Sequence, residues 1–199
     1  EESDDFTYTV AWIDCFSAHK RQLRGIFMRG EHRHVPKEDV DINRWSQPKW
    51  GIPFNFPKHA LNYSTMRIFN EVYYRRLPRK HTRSVVHFEP FFYPLDAINN
   101  WNRIYGHRGL FQYQYTIPLH NAEAVIETLQ VISEAKQGSF LAVLKKFGDI
   151  KSPGMMSFPS PGYTLTLDFP NAGIKSFRLF EKLDQIVAAA EGRLYPAKD

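Results

Sequence analysis

The sequence predicts an α+β fold, one sheet with helices on one face. Two strictly alternating stretches, 110–117 and 163–169, put aromatic and aliphatic residues on one side and polar residues on the other, the mark of strands with one buried face. Each is followed by a segment whose apolar residues recur at helical spacing. Near the start, two runs rich in aromatic and β-branched residues, at 6–13 and 25–29, are fit to extend the same sheet.

In chain order, residues 1–5 are acidic or polar, and fraying is expected there. The runs 6–13 and 25–29 form an antiparallel pair across a polar connection at 17–24. From 30 to 58 any period dissolves into prolines, charges and the isolated Trp45 and Trp50. An irregular excursion of that length in a compact domain is functional or mobile. Residues 61–77 predict a helix with Met66, Phe69 and Tyr73 on one stripe and Ile68 and Val72 beside it, closed by Pro78. An extended segment broken at Pro90 follows at 84–93, then a short helix over 94–101. A turn at 105–109 leads into the first alternating strand, where Phe111, Tyr113, Tyr115 and Ile117 oppose Gln112, Gln114 and Thr116. Asn121 is the expected N-cap of a helix carrying Val125, Leu129 and Ile132 on one face, with Gly138 as its end. The second strand is 140–147, and a Pro/Gly/Ser-rich hairpin region over 149–162 brings in the third at 163–169. A second helix from Ile174 bears Phe177, Phe180, Leu183 and Val187 and stops at Gly192. Leu194 and Tyr195 open a fourth strand.

The order over 109–199 is β-α-β-β-α-β, the ferredoxin-like arrangement, with 1–108 as an N-terminal antiparallel elaboration of the same single domain. That topology sets the third strand between the first and second and lays both helices on one face. Gln112, Gln114, Thr164, Thr166 and Asp168 then share the other. With Leu144 in the core, Lys145 and Phe147 join them. Such a floor suits a small molecule. A plain solvated face, or one closed by the first hundred residues, would carry the same pattern.

The net charge of +5 is local in origin: 19–37 holds six Lys/Arg against one acid, and 75–83 holds five against none. Basic patches attract phosphate, and they equally serve as solvated loops. No RNP, KH, zinc-finger or helix-turn-helix motif accompanies them, so no nucleic-acid partner is expected. A ferredoxin-like ligand-binding, RNA-binding or dimerisation module without chemistry is the alternative to an enzyme. No run is long and apolar enough for a transmembrane segment. Cys15 is the only cysteine, which excludes an internal disulfide and a cysteine metal cluster. His32 and His34 lack companions at ligand spacing, so no metal site is expected. A reducing, cytoplasmic setting fits best, with membrane association or the periplasm as alternatives.

Seven motifs jointly resemble the substrate-binding (cap) domain of FAD-linked oxidases of the vanillyl-alcohol-oxidase superfamily. They are YTVAWIDC (8–15), RGIFMRGEH (24–32), FFYPLDAINNWNRIYG (91–106), FQYQYTIP (111–118), FLAVLKKFG (140–148), SFPSPGYTLTLDFP (157–170) and GRLYPAKD (192–199). The likeness is loosest over 33–60. It implies a flavoprotein oxidoreductase with FAD as cofactor, bound mainly by an FAD-binding domain of the same polypeptide beyond these residues. The abrupt end at Asp199 agrees with a chain that is part of something longer. The implied substrate is a sugar or glycosyl phosphate whose hydroxyl carbon gives hydride to flavin N5, and a partner reductase is a further implied partner. Carried over by motif, Lys198 is the catalytic residue beside flavin and substrate hydroxyl, and Gln112, Gln114, Lys145, Phe147, Thr164 and Thr166 are substrate-binding. The pattern departs at Thr164 and Thr166, where an asparagine and a cysteine stand in the resembled pocket. The natural substrate is therefore open at this point.

Overall fold

The computed structural model describes residues 5–17, 23–33, 50–77, 81–151 and 153–198. Its strands in chain order are β1 (Tyr8–Ile13), β2 (Gly25–Gly30), β3 (Trp50–Gly51), β4 (Ile98–Asn99), β5 (Leu110–Ile117), β6 (Ala142–Phe147), β7 (Gly162–Pro170) and β8 (Arg193–Leu194). Six of them build one antiparallel sheet in the order β2-β1-β6-β7-β5-β8, while β3 and β4 pair in parallel apart from it. The third strand of the ferredoxin-like half, β7, lies between the first and second, as that topology requires. The hairpin of β1 and β2 extends the sheet beyond β6.

Register follows from which side chains must be dry. On β5 and β7, Tyr113 lies opposite Leu167, Tyr115 opposite Leu165, and Ile117 opposite Tyr163. On β6, Ala142 meets Leu167 and Leu144 meets Leu165, which turns Val143, Lys145 and Phe147 to the other face. Helices α3 (Glu123–Glu134) and α4 (Ile174–Ala189) cover the apolar face. There Val125, Leu129, Ile132, Leu183 and Val187 join one core with Tyr115, Leu165 and Leu167. The Tyr113 ring stacks on Phe180 at 5.2 Å, and its hydroxyl donates to Asp184 at 2.6 Å.

Several local expectations fail for tertiary reasons. Asn121 ends a single 3₁₀ turn instead of capping α3, and its amide donates to the Ala190 carbonyl at the end of α4. Gly138 does not end α3. Lys136 takes the left-handed conformation (φ 53°), and Gly138 is small because a Cβ there would lie 2.5 Å from the Phe16 ring. Helix α1 (Tyr63–Arg75) buries Met66 and Asn70, leaving Ile68, Phe69 and Val72 exposed. Asn70 donates to the buried Asp14 at 2.8 Å, which also accepts from Arg24 at 2.8 Å. Arg24 pairs in turn with Glu71 at 2.5 Å, so a polar lock ties the β1–β2 hairpin to α1.

Pro90 sits inside the five-residue helix α2 (Phe88–Phe92), in a first turn where a missing N–H leaves nothing unpaired. No helix starts at Pro94. Instead a 3₁₀ helix spans Trp101–Arg108, kinked at Gly106 (φ 66°). Residues 34–49, most of the expected excursion, lie outside the described residues, as do 1–4.

Candidate functional site

The face of the sheet opposite α3 and α4 is built by the same alternation that builds the core. Cross-strand pairs Gln112–Asp168, Gln114–Thr166 and Thr116–Thr164 run along β5 and β7, with Val143 and Lys145 opposite Thr166 and Thr164 on β6. Gln112, Gln114, Lys145, Phe147, Thr164 and Thr166 therefore share one face. Lys198 reaches it from the turn after β8. That turn is anchored by Tyr195, whose N–H donates to the Gln114 carbonyl at 2.9 Å, and is closed by the Lys198 N–H on the Tyr195 carbonyl at 3.2 Å.

A chain of side-chain contacts crosses this face. Lys198 Nζ donates to Gln112 Oε1 at 2.7 Å, and Gln112 Nε2 donates to Asp168 Oδ1 at 3.0 Å. Beside it, Gln114 Nε2 donates to Thr164 Oγ1 at 3.2 Å. Thr164 is only 2% exposed, so it holds Gln114 in place and presents no hydroxyl of its own. Lys145 is exposed and Phe147 half-buried.

A cleft of about 540 Å³ opens on this side, lined by Gln114, Phe147, Phe158, Tyr195 and Lys198 with the 156–159 loop. Phe158 links its two walls, 6.0 Å from the Phe147 ring and 4.8 Å from the Tyr195 ring. Ser157 Oγ, in the same wall, is buried, with no hydrogen-bond partner among the described residues. A cleft with aromatic walls and one ammonium can hold a polar ring compound by a donor on its edge and apolar contact on its face.

The far end of the face is closed by the N-terminal half. Trp12 of β1 donates to the Phe140 carbonyl at 2.9 Å, and Tyr105 stacks on Phe140 at 5.6 Å. Tyr105 lies close enough to Asp168 that burial first, and that carboxylate second, push its phenol pKa up. Burial likewise raises the Asp168 carboxyl above the usual range, against the lowering by the Gln112 amide and the Lys198 charge. An acid raised on folding contributes stability that is complete below its unfolded pKa, about 3.9, and is lost as pH rises through the folded value. Asp168→Asn should therefore gain in Tm relative to the parent chain as pH rises from about 4 to about 8. Thermal melts across that range decide it, and a difference that narrows with pH contradicts the assignment.

Phe158, Tyr195 and Tyr105 were not legible as site residues, because none belongs to the alternating pattern of β5 or β7. The one hint was their place in the Pro/Gly/Ser-rich loop, after the last helix, and in the turn before β5.

No family model matches this sequence. The likeness that the motifs implied does hold: along 98% of its length the chain is similar to part of an oxidase. That relative is decaprenylphosphoryl-beta-D-ribose oxidase of Mycolicibacterium smegmatis, 32% identical over 201 residues. An uncharacterized protein of Streptomyces coelicolor, in the mprA 5' region, is 27% identical over 97% of this chain. The chain spans 43% of the length of the first relative and 55% of the second. Among the described residues, no helix is long and apolar enough to cross a membrane.

Proposed function

We propose that this chain is the substrate-binding part of an FAD-dependent oxidoreductase that oxidises a hydroxyl of a sugar or glycosyl-phosphate substrate. The observation that carries it is the Lys198 ammonium, held at 2.7 Å by Gln112 on the sheet face beside the cleft. It stands in a chain similar over nearly its whole length to part of an oxidase of a polyprenyl-phosphate sugar.

Lys198 orients the substrate hydroxyl and takes part in moving its proton. Gln112 fixes the lysine, and Gln114, braced by Thr164, offers its remaining amide positions to the substrate. Thr166 completes the polar floor. Phe147 gives the sugar ring an apolar surface, and the exposed Lys145 meets a further hydroxyl or a phosphate oxygen. FAD, when bound, supplies the hydride acceptor at its N5. In this reading the dinucleotide part is held by an FAD-binding domain of the same polypeptide. What these residues offer the cofactor fits its carbonyl-bearing ring edge: the ammonium of Lys198, held by Gln112. A partner reductase and a setting at the membrane, where a polyprenyl substrate would reside, belong to the same reading.

Two spectra test it. This chain, mixed with excess FAD and desalted, is expected to remain colourless, whereas the complete polypeptide is expected to be yellow. Under anaerobic conditions, a ribosyl polyprenyl phosphate should bleach that colour. A chain that keeps flavin by itself would sink the division of labour. A complete polypeptide whose flavin no glycosyl phosphate bleaches would sink the substrate class.

A further inference from the structure

One buried acid on this face has no part in the chemistry outlined above. Asp168 is 1% exposed, and among the described residues only one of its oxygens is used: Oδ1 accepts from Gln112, while Oδ2 has no hydrogen-bond partner there. Tyr105, 7% exposed, also has no partner for its hydroxyl among the described residues. Burying a half-satisfied carboxyl costs stability, so the fold itself gains nothing from an acid at this position.

What the acid does is dictate an orientation. A carboxylate has only acceptors and an ammonium only donors. The Gln112 amide between them can serve both in one orientation alone, with Nε2 toward Asp168 and Oε1 toward Lys198. Turned over, it would meet each neighbour with the wrong group.

We propose that Asp168 is a positioning residue for the hydroxyl oxidation, locking the Gln112 amide so that its carbonyl oxygen holds the Lys198 ammonium at the cleft. This rests on the function proposed above.

Asp168→Asn is the informative variant. It keeps the shape, but its amide can donate as well as accept, so only the Lys198 contact is left to set which way Gln112 faces. In the complete, flavin-loaded polypeptide, flavin reduction should slow roughly tenfold to a hundredfold, the scale of a misplaced reacting group. The loss should fall on kcat with KM little changed. Because the effect runs through the lysine, the double variant with Lys198→Met should be no slower than Lys198→Met alone.

A second readout needs no turnover. In this chain labelled with ¹⁵N, the Lys198 ammonium correlation is expected in the parent, where the ammonium is held, and absent in Asp168→Asn. The Gln112 side-chain amide signal should move at the same time. Parental turnover in Asp168→Asn, additive losses in the double variant, or unchanged Lys198 and Gln112 signals would each overturn the assignment. If no glycosyl phosphate reduces the parent's flavin, the proposed function is what fails, and the spectra still decide whether Asp168 locks the amide.

Discussion

Lys198→Met in the complete, flavin-loaded polypeptide is expected to slow flavin reduction by roughly a hundredfold to ten-thousandfold, the range supplied by a positioned proton-transfer group. The methionine chain fills similar space without donors, so the Gln112 carbonyl oxygen loses its partner and the substrate hydroxyl its neighbour. Lys198→Arg should recover only part of the rate. A planar guanidinium with its donors in a rigid fork cannot place a single donor where the ammonium stands at 2.7 Å from Gln112. Anaerobic stopped-flow traces at 450 nm, the usual flavin band, measure both. A rate within a fewfold of the parent for Lys198→Met would remove this lysine from the chemistry, whatever its geometry.

The largest expected loss of stability comes from the other side of the sheet. Leu165 is fully buried on β7, between Tyr115 and Leu144 and under the two long helices. Leu165→Ala removes that packing and leaves a cavity, at a cost of about 2–5 kcal/mol. In a domain of this size that lowers Tm by roughly 5–20 °C. Urea melts monitored by circular dichroism give the number. Lys145→Ala, one face over and exposed, serves as the control and should change stability by less than about 0.5 kcal/mol. A loss below about 1 kcal/mol for Leu165→Ala would mean that β7 is not the centre of the core.

The two predictions separate because β7 serves both faces. Leu165 and Leu167 point into the core, while Thr164, Thr166 and Asp168 form the polar floor. Asp168→Asn adds a diagnostic that neither gives alone. It should raise stability at neutral pH and lower turnover, the trade expected of a residue held at the expense of the fold. A substitution that lost both would mark a structural carboxyl.

The alternation of β5 and β7, the helical spacing of Val125, Leu129 and Ile132, and the β-α-β-β-α-β order were all legible in the sequence. Each is a short-range pattern imposed by one buried face, and a period of two or 3.6 needs no knowledge of distant residues. The presence of Gln112, Gln114 and Lys145 on one polar face followed once Leu144 was taken into the core. Features decided by a distant neighbour were not legible. Asn121 binds the end of α4, and Gly138 makes room for Phe16. The buried face of α1 joins Met66 of the expected stripe to the polar Asn70, whose partner is the Asp14 carboxylate.

The site divides in the same way. The sequence by itself determined which residue types line the sheet face, because strand periodicity assigns faces without regard to what lies across them. Only the tertiary structure decided that Lys198, 86 residues from Gln112, meets its carbonyl oxygen, and that Asp168, 56 residues away, grips the same amide. Those contacts depend on the β5–β7 register and on the turn after β8. Both are selected by burying the whole apolar face at once, which no local stretch of the chain can specify.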